Sequence, residues 1–395
     1  MAETTTARPV AASRVANRRW MIFLIGAAVT LFWTSLYLYV PTLPVYAREK
    51  TQNLEMVGVI LAMYGLWQGL LRLPLGITAD WLGRRKVFIL MGFGLSALGA
   101  LVMATAQDAN GLAVGRAITG LAAATWVPMV VLFSGMFPPE EAVRATAILS
   151  VLNSLGCMAG SSLNGTLNRL GGGYSLAFYV AIGVAAAAAL AFLPVQEPAL
   201  PRVKPSFKGT GALITRKDVL LPALLSATSQ YITWTTTFGF LPILAKNLGA
   251  SGELNSLLVT INLALSLVGN LATSAIVRRT GNIRLIYMSY VVMVAGISIA
   301  ALASSIPAVV LAQVIIGLGN GMGYPLFMGM SIENVHPAQR ATAMGLHQAV
   351  YSIGMFAGPW LSGILADAIG IQPMFGVTAG AALVISLGLA SRLRK

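Results

Sequence analysis

Twelve apolar runs divide the chain, and each is long enough to cross a lipid bilayer as one helix, which takes about 20 apolar residues. Charged residues make up only 10% of the 395 residues, whereas soluble domains contain about 25%. Such a chain cannot cover a water-exposed surface. The sequence therefore predicts an all-α integral membrane protein with twelve transmembrane helices. Numbered 1 to 12 in order, the runs are centred near residues 20–45, 55–79, 86–106, 110–136, 144–168, 174–194, 219–245, 254–277, 283–305, 308–332, 341–366 and 371–391.

The longest gap between runs, residues 195–218, is rich in proline, lysine and arginine. We interpret it as a cytoplasmic linker between two six-helix halves, residues 1–194 and 219–395. A shift of 198 residues aligns Leu-Pro-Val-Tyr-Ala at 43–47 with Leu-Pro-Ile-Leu-Ala at 241–245. This internal repeat predicts two pseudo-symmetric six-helix bundles with a substrate site between them near the midplane.

The basic residues predict the orientation of the chain in the membrane. Of the 26 Lys and Arg, 20 fall on the side that holds both termini, 4 fall on the other side, and Arg72 and Arg116 lie within the membrane. Basic loops stay cytoplasmic, so both termini are expected inside the cell, in a plasma membrane such as a bacterial inner membrane. The net charge of +14 then reflects topology and attraction to lipid headgroups, and nucleic acid is not an expected partner.

Polar residues are distributed unevenly among the predicted helices. Apart from Lys86, Arg284 and Gln372 in the first two positions of their spans, helices 3, 6, 9 and 12 contain no Asn, Gln, His or charged residue, so they are expected at the periphery, and the others enclose an interior path. Tyr64, Gln68 and Arg72 share one face of helix 2 because they are four residues apart. The candidate cavity residues are Trp33, Tyr37, Tyr64, Gln68, Arg72, Trp126, Gln230, Tyr231, Trp234, Asn320 and Tyr324.

Three titratable residues lie well inside helices. For Arg72, snorkelling to the interface or a structural pair stands beside contact with substrate. Arg116 is expected to donate hydrogen bonds to backbone carbonyls of helix 1, with proton relay as a second role. His347 is either a packing histidine or a proton-coupling group. Every acid falls at a helix end or in a loop, so no carboxylate is expected at the midplane.

The loop between helices 2 and 3 reads Gly76-Ile-Thr-Ala-Asp80-Trp-Leu-Gly83-Arg84-Arg85. This spacing resembles the G-x-x-x-D-x-x-G-R-R/K signature of the major facilitator superfamily. Arg116 followed by Gly120 resembles that family's second signature, although Thr119 replaces its usual glutamine. With the twelve helices and the repeat, the resemblance covers almost the whole chain, and within the family the chain looks most like the twelve-helix drug–proton antiporters.

The resemblance implies the major facilitator fold and a rocker-switch transporter whose cavity is lined by helices 1, 4, 7 and 10. It also implies that the acids and bases of the signature loop form a conformational latch that holds the outward-facing state. In that latch Asp80 would lie near the start of helix 11, and Arg84 near Glu140 or Glu141. The full candidate set for the latch is Gly76, Asp80, Gly83, Arg84, Arg85 and Glu140.

The leading interpretation is a secondary active transporter that exports small amphipathic molecules by alternating access, with a proton as the coupling ion. Uptake or facilitated transport of an organic anion stays open, and so does a transport-fold sensor without flux. No metal-ligand cluster, nucleophile–base pair or nucleotide motif favours an enzyme, and the single cysteine, Cys157, forms no intrachain disulfide. We expect no cofactor, a small-molecule substrate and the lipid bilayer as partners, and a monomer.

Overall fold

The structure is a computed structural model that describes residues 15–138, 141–197, 215–336 and 339–393, and the regular secondary structure of these residues is helical throughout. Its α-helices are α1 (Val15–Tyr37), α2 (Leu43–Lys50), α3 (Leu54–Leu82), α4 (Arg85–Thr105), α5 (Ala109–Ala124), α6 (Trp126–Ser134), α7 (Ala142–Leu170), α8 (Ser175–Phe192), α9 (Lys217–Thr235), α10 (Leu241–Asn247), α11 (Gly252–Thr280), α12 (Asn282–Ala301), α13 (Ile306–Glu333), α14 (Arg340–Ile369) and α15 (Ile371–Arg392).

These helices form the predicted twelve spans. Among the described residues, eleven segments are long and apolar enough to cross a membrane, and α5 and α6 together make one of them. The remaining predicted span, the seventh, is divided into α9, a π-helical turn at Thr236–Phe240 and α10. The prediction of an all-α membrane protein with two six-helix bundles is confirmed.

Three of the predicted spans are not continuous α-helices. The first ends at Tyr37 and the chain continues into α2, the fourth breaks between α5 and α6, and the seventh contains the π turn. The short helices α2 and α10 each carry a proline in their first turn, where its fixed φ starts a helix and its missing N–H costs nothing. They occupy equivalent places in the two halves, as the repeat predicts, and they contact each other.

The two halves meet along two helix pairs, α3 with α14 and α7 with α11. The main contacts of α4, α8, α12 and α15 are with helices of their own half, which agrees with the peripheral position predicted for every third span. At the α3–α14 contact a side chain on Gly363 would lie 2.8 Å from the carbonyl oxygen of Leu54 and 2.9 Å from Cα of Gly58. The two backbones touch there because neither glycine has a side chain.

The helices alternate in direction, so the loops lie on two opposite faces of the protein. We call the face that carries residues 15 and 393 the terminal face, and the opposite one the distal face. Residues 198–214 of the predicted linker lie outside the described residues. The linker's last two predicted residues belong to α9, which begins at Lys217.

Candidate transport cavity

A cavity of about 400 Å³ lies between the two halves. Of the predicted cavity residues, all but Tyr231 line it. The Tyr231 prediction is wrong because this side chain packs between α9 and α14, with its hydroxyl 3.2 Å from the Ser362 hydroxyl. The cavity also has lining residues outside the predicted set, which come mainly from α7, α11 and α14 and include Thr146, Ser150, Asn153, Ser154, Ser266, Asn270, Gln348 and Tyr351.

The lining therefore extends beyond the first, fourth, seventh and tenth spans. A signal for the additional residues is present in the sequence, since α7 and α11 carry Ser and Asn at positions that share a helix face, such as Ser150 with Asn153 and Ser266 with Asn270. Polar side chains in a membrane avoid lipid, and these ones line the cavity.

Aromatic rings form much of the cavity wall. Tyr64 of α3 stacks on Trp234 of α9 with ring centroids 5.2 Å apart, so this pair bridges the two halves. Trp33 of α1 meets Trp126 of α6 edge-on at 5.6 Å. Rings in these arrangements present flat apolar faces together with polar N–H and O–H groups, a surface suited to amphipathic molecules.

Arg72 is the one charged side chain among the described residues that line the cavity. It is 5% exposed and donates a hydrogen bond from Nη1 to the hydroxyl of Tyr351 on α14. Its guanidinium carbon lies 5.6 Å from the centre of that ring, and its Nε has no hydrogen-bond partner. The snorkelling alternative is wrong because the side chain is buried between the halves and does not reach an interface.

Arg116 lies behind the cavity wall. It is 1% exposed, and its guanidinium carbon is 4.4 Å from the centre of the Tyr64 ring. The expected hydrogen bonds to the backbone of the first span are not made by Nε and Nη1, which have no partner. The guanidinium lies against the Tyr64 ring, whose quadrupole attracts a cation over its face. Arg116 thus packs against Tyr64 and helps to fix the position of this ring in the cavity wall.

His347 is fully buried and does not appear among the cavity-lining residues. Its Nδ1 lies 2.8 Å from the hydroxyl oxygen of Ser331 on α13, and its ring is 6.1 Å from that of Tyr351. His347 therefore lies directly beside Tyr351, the hydrogen-bond partner of Arg72, and its Nε2 has no hydrogen-bond partner.

The signature loop adopts the turn that its glycine predicts. Gly83 has φ 62°, the left-handed conformation that glycine adopts without strain. A side chain on Gly76 would lie 3.0 Å from Val127 Cγ1, so α3 packs closely on α6 there. Arg84 is exposed and forms no ion pair with Glu141 in the described residues, and the latch expected for the outward-facing state stays a prediction. Glu140 and the side chain of Asp80 lie outside the described residues.

An acid of the predicted linker caps α4 next to this loop. Glu197 accepts hydrogen bonds from the backbone N–H of Arg85 at 2.7 Å and of Lys86 at 3.2 Å. A carboxylate at a helix N-terminus satisfies unpaired N–H groups and interacts favourably with the helix dipole.

The halves contact each other directly on the distal side of the cavity. Arg169 of α7 pairs with Glu253 of α11 at 3.2 Å. Leu54 at the start of α3 donates its backbone N–H to Asp367 near the end of α14 at 2.8 Å. We call these two contacts, with the adjoining ends of α3, α7, α11 and α14, the distal closure.

Comparison with known proteins decides the family. The model of the Major Facilitator Superfamily matches the chain twice, over residues 22–229 and 223–395. The chain belongs to the major facilitator superfamily. It is a multi-pass membrane transporter, as its relatives and structural neighbours are.

Two relatives match over most of the chain. An uncharacterized transporter of this superfamily from Methanocaldococcus jannaschii is 22% identical over 90% of this chain and 92% of its own. The multidrug resistance protein MdtH of Aeromonas hydrophila is 24% identical over 81% of this chain and 84% of its own.

Two solved structures show the same fold. An inward-facing, occupied bacterial homologue of the human lysosomal transporter Spinster superposes with a TM-score of 0.81 at 15% identity, over 95% of this chain and 97% of that one. The nucleoside transporter NupG superposes with a TM-score of 0.75 at 16% identity, over 95% of this chain and 99% of that one.

Proposed function

We propose that this superfamily member exports small amphipathic molecules through the cavity between its halves by alternating access. The observation that carries the proposal is the cavity itself, with aromatic rings and one buried cation facing about 400 Å³ of space. Drug-sized ligands bind in cavities of about 300–1,000 Å³ that combine apolar walls with a few polar groups. The cavity lies at the interface of two pseudo-symmetric halves, where rocking of one half against the other changes the side from which it is reached.

Direction follows from which face lies in the cytoplasm. We take the terminal face as cytoplasmic, because 20 of the 26 basic residues fall on that side. The distal closure then faces outward, and the state described is inward-facing. The similarity to an inward-facing transporter supports this assignment, and the relationship to a multidrug resistance protein supports export.

Proton coupling is part of this proposal and needs a group whose protonation changes during the cycle. Among the described residues, the cavity lining contains no carboxylate and no histidine. His347, which is hydrogen-bonded to Ser331 and lies beside the ring of Tyr351, is the candidate for this group. The dependence of export on the pH gradient tests this part separately.

Dye accumulation in cells tests the proposal. Fluorescein, Nile red and ethidium cover anionic, neutral and cationic amphipathic molecules. Cells that express the transporter are expected to accumulate at least one of them less than control cells, and a protonophore should abolish the difference if protons drive export. Substituting Ser154→Trp places an indole in the cavity and should abolish export.

Ser162→Trp is the matched control, since Ser162 is an exposed serine of the same helix and is not a cavity residue. It should export as the wild type does. Undiminished export by Ser154→Trp would contradict transport through this cavity. Equal accumulation of all three dyes with and without the transporter would favour a sensor without flux.

A further inference from the structure

The charge on Arg72 has no countercharge in the cavity. The side chain is 5% exposed, and no acid is among the described cavity-lining residues. One N–H is donated to Tyr351, and Nε has no partner. A guanidinium has five N–H donors in a planar fork that matches a carboxylate. Removing such a cation from water without a counterion is costly, and a bound anion would offset that cost.

The aromatic rings of the same cavity define the rest of the ligand. Tyr64 lies two helical turns from Arg72 on the same face of α3 and stacks on Trp234. Trp33 and Trp126 form a second ring pair in the lining. An organic acid with a flat apolar body would place its charged end at Arg72 and its body against these rings.

We propose that the transported molecules are aromatic or flat apolar organic anions and that Arg72 binds their anionic group. This assignment rests on the proposed function, because it takes the cavity as the transport site. It also accounts for Arg72 better than a purely structural bond to Tyr351 does. A neutral donor would supply the same single hydrogen bond without placing an unpaired charge between the halves.

A charge series on one skeleton tests the assignment. The probes are 2-naphthoate, 2-naphthamide and 2-naphthylmethylammonium, with charges of about −1, 0 and +1 at pH 7. Calorimetric titration of the purified transporter measures the Kd of each. We expect 2-naphthoate to bind at least about tenfold more tightly than either analogue, since hydrogen bonds to charged groups are the strong ones. Arg72→Gln should remove this preference, and Arg72→Lys should retain part of it.

Two variants separate ligand binding from a structural role. Tyr351→Phe removes the hydrogen bond between α3 and α14 and keeps the charge, so it should keep the preference for 2-naphthoate. Arg279→Gln removes one positive charge from the exposed terminal end of α11 and should leave all three affinities unchanged.

The outcomes distinguish the two levels of the proposal. Equal affinity of the wild type for the three probes, or tighter binding of the ammonium, would overturn the anion assignment and leave the cavity as a binding site. Loss of the preference in Tyr351→Phe as complete as in Arg72→Gln would assign Arg72 a positioning role only. If the folded wild-type protein bound none of the three probes, both the anion assignment and the proposed function would be overturned.

Discussion

The distal closure depends on the close approach of α3 and α14, and Gly363→Ala perturbs it directly. The new Cβ would lie 2.8 Å from the Leu54 carbonyl oxygen and 2.9 Å from Cα of Gly58. Both neighbours are backbone atoms, so no side chain can rotate away and the helix ends must separate. Overpacking of this kind costs about 1–3 kcal/mol, and only the conformation with a closed distal face bears the cost. The population of that conformation relative to the distally open one should fall by about 5- to 150-fold.

The single cysteine of the chain provides the assay. Cys157 lines the cavity, so its reaction with a membrane-impermeant maleimide added at the distal face reports opening of that face. Gly363→Ala should raise the labelling rate at least about fivefold over the wild type. Gly376→Ala is the control, because a side chain there meets nothing within 4 Å. An unchanged labelling rate in folded Gly363→Ala would refute the account of the distal closure.

Two further substitutions test the terminal face and the cavity wall. Glu197→Gln keeps the shape of the α4 cap but removes its charge, so thermal unfolding should show a loss of about 0.5–1 kcal/mol; an unchanged melting temperature would contradict the capping role. Trp126→Leu removes the ring that contacts Trp33. It should weaken binding of the naphthalene probes by about 2- to 10-fold, which corresponds to the interaction energy of one aromatic pair. Leu31→Ala, at a residue outside the cavity lining, is the control for Trp126→Leu. Equal probe affinities in these two variants would contradict the role of the aromatic lining in binding.

The architecture was predictable because it depends on features that a sequence displays directly. Lengths of apolar runs give the spans, and the repeated Leu-Pro segments identify equivalent positions, which the structure turns into α2 and α10. The breaks within spans were not predictable from hydropathy, since the sequence stays apolar at the residues where the helical backbone is interrupted. Pro128 removes a backbone donor three residues after Thr125, and the helix is interrupted there.

The candidate cavity was predictable where a polar or aromatic residue interrupts an otherwise apolar helix. Gln68 and Arg72 are polar residues of this kind, and both line the cavity. Tyr231 meets the same criterion but turns toward Ser362, because adjacent residues on a helix are 100° apart and Gln230 occupies the cavity face. Partners distant in sequence were also beyond reach, as with Glu197, which lies more than 110 residues from the helix that it caps.

Locking the distal closure tests the central claim, transport by alternating access to this one cavity. In a Cys157→Ser background, Arg169→Cys and Glu253→Cys introduce a pair of thiols where the native side chains lie 3.2 Å apart. A short cleavable bismaleimide should join them. The account predicts that the cross-linked protein in proteoliposomes still binds the tightest naphthalene probe from the terminal face, carries no flux, and regains flux when the linker is cleaved, whereas each single-cysteine variant transports throughout. Undiminished flux in the fully cross-linked protein would contradict it.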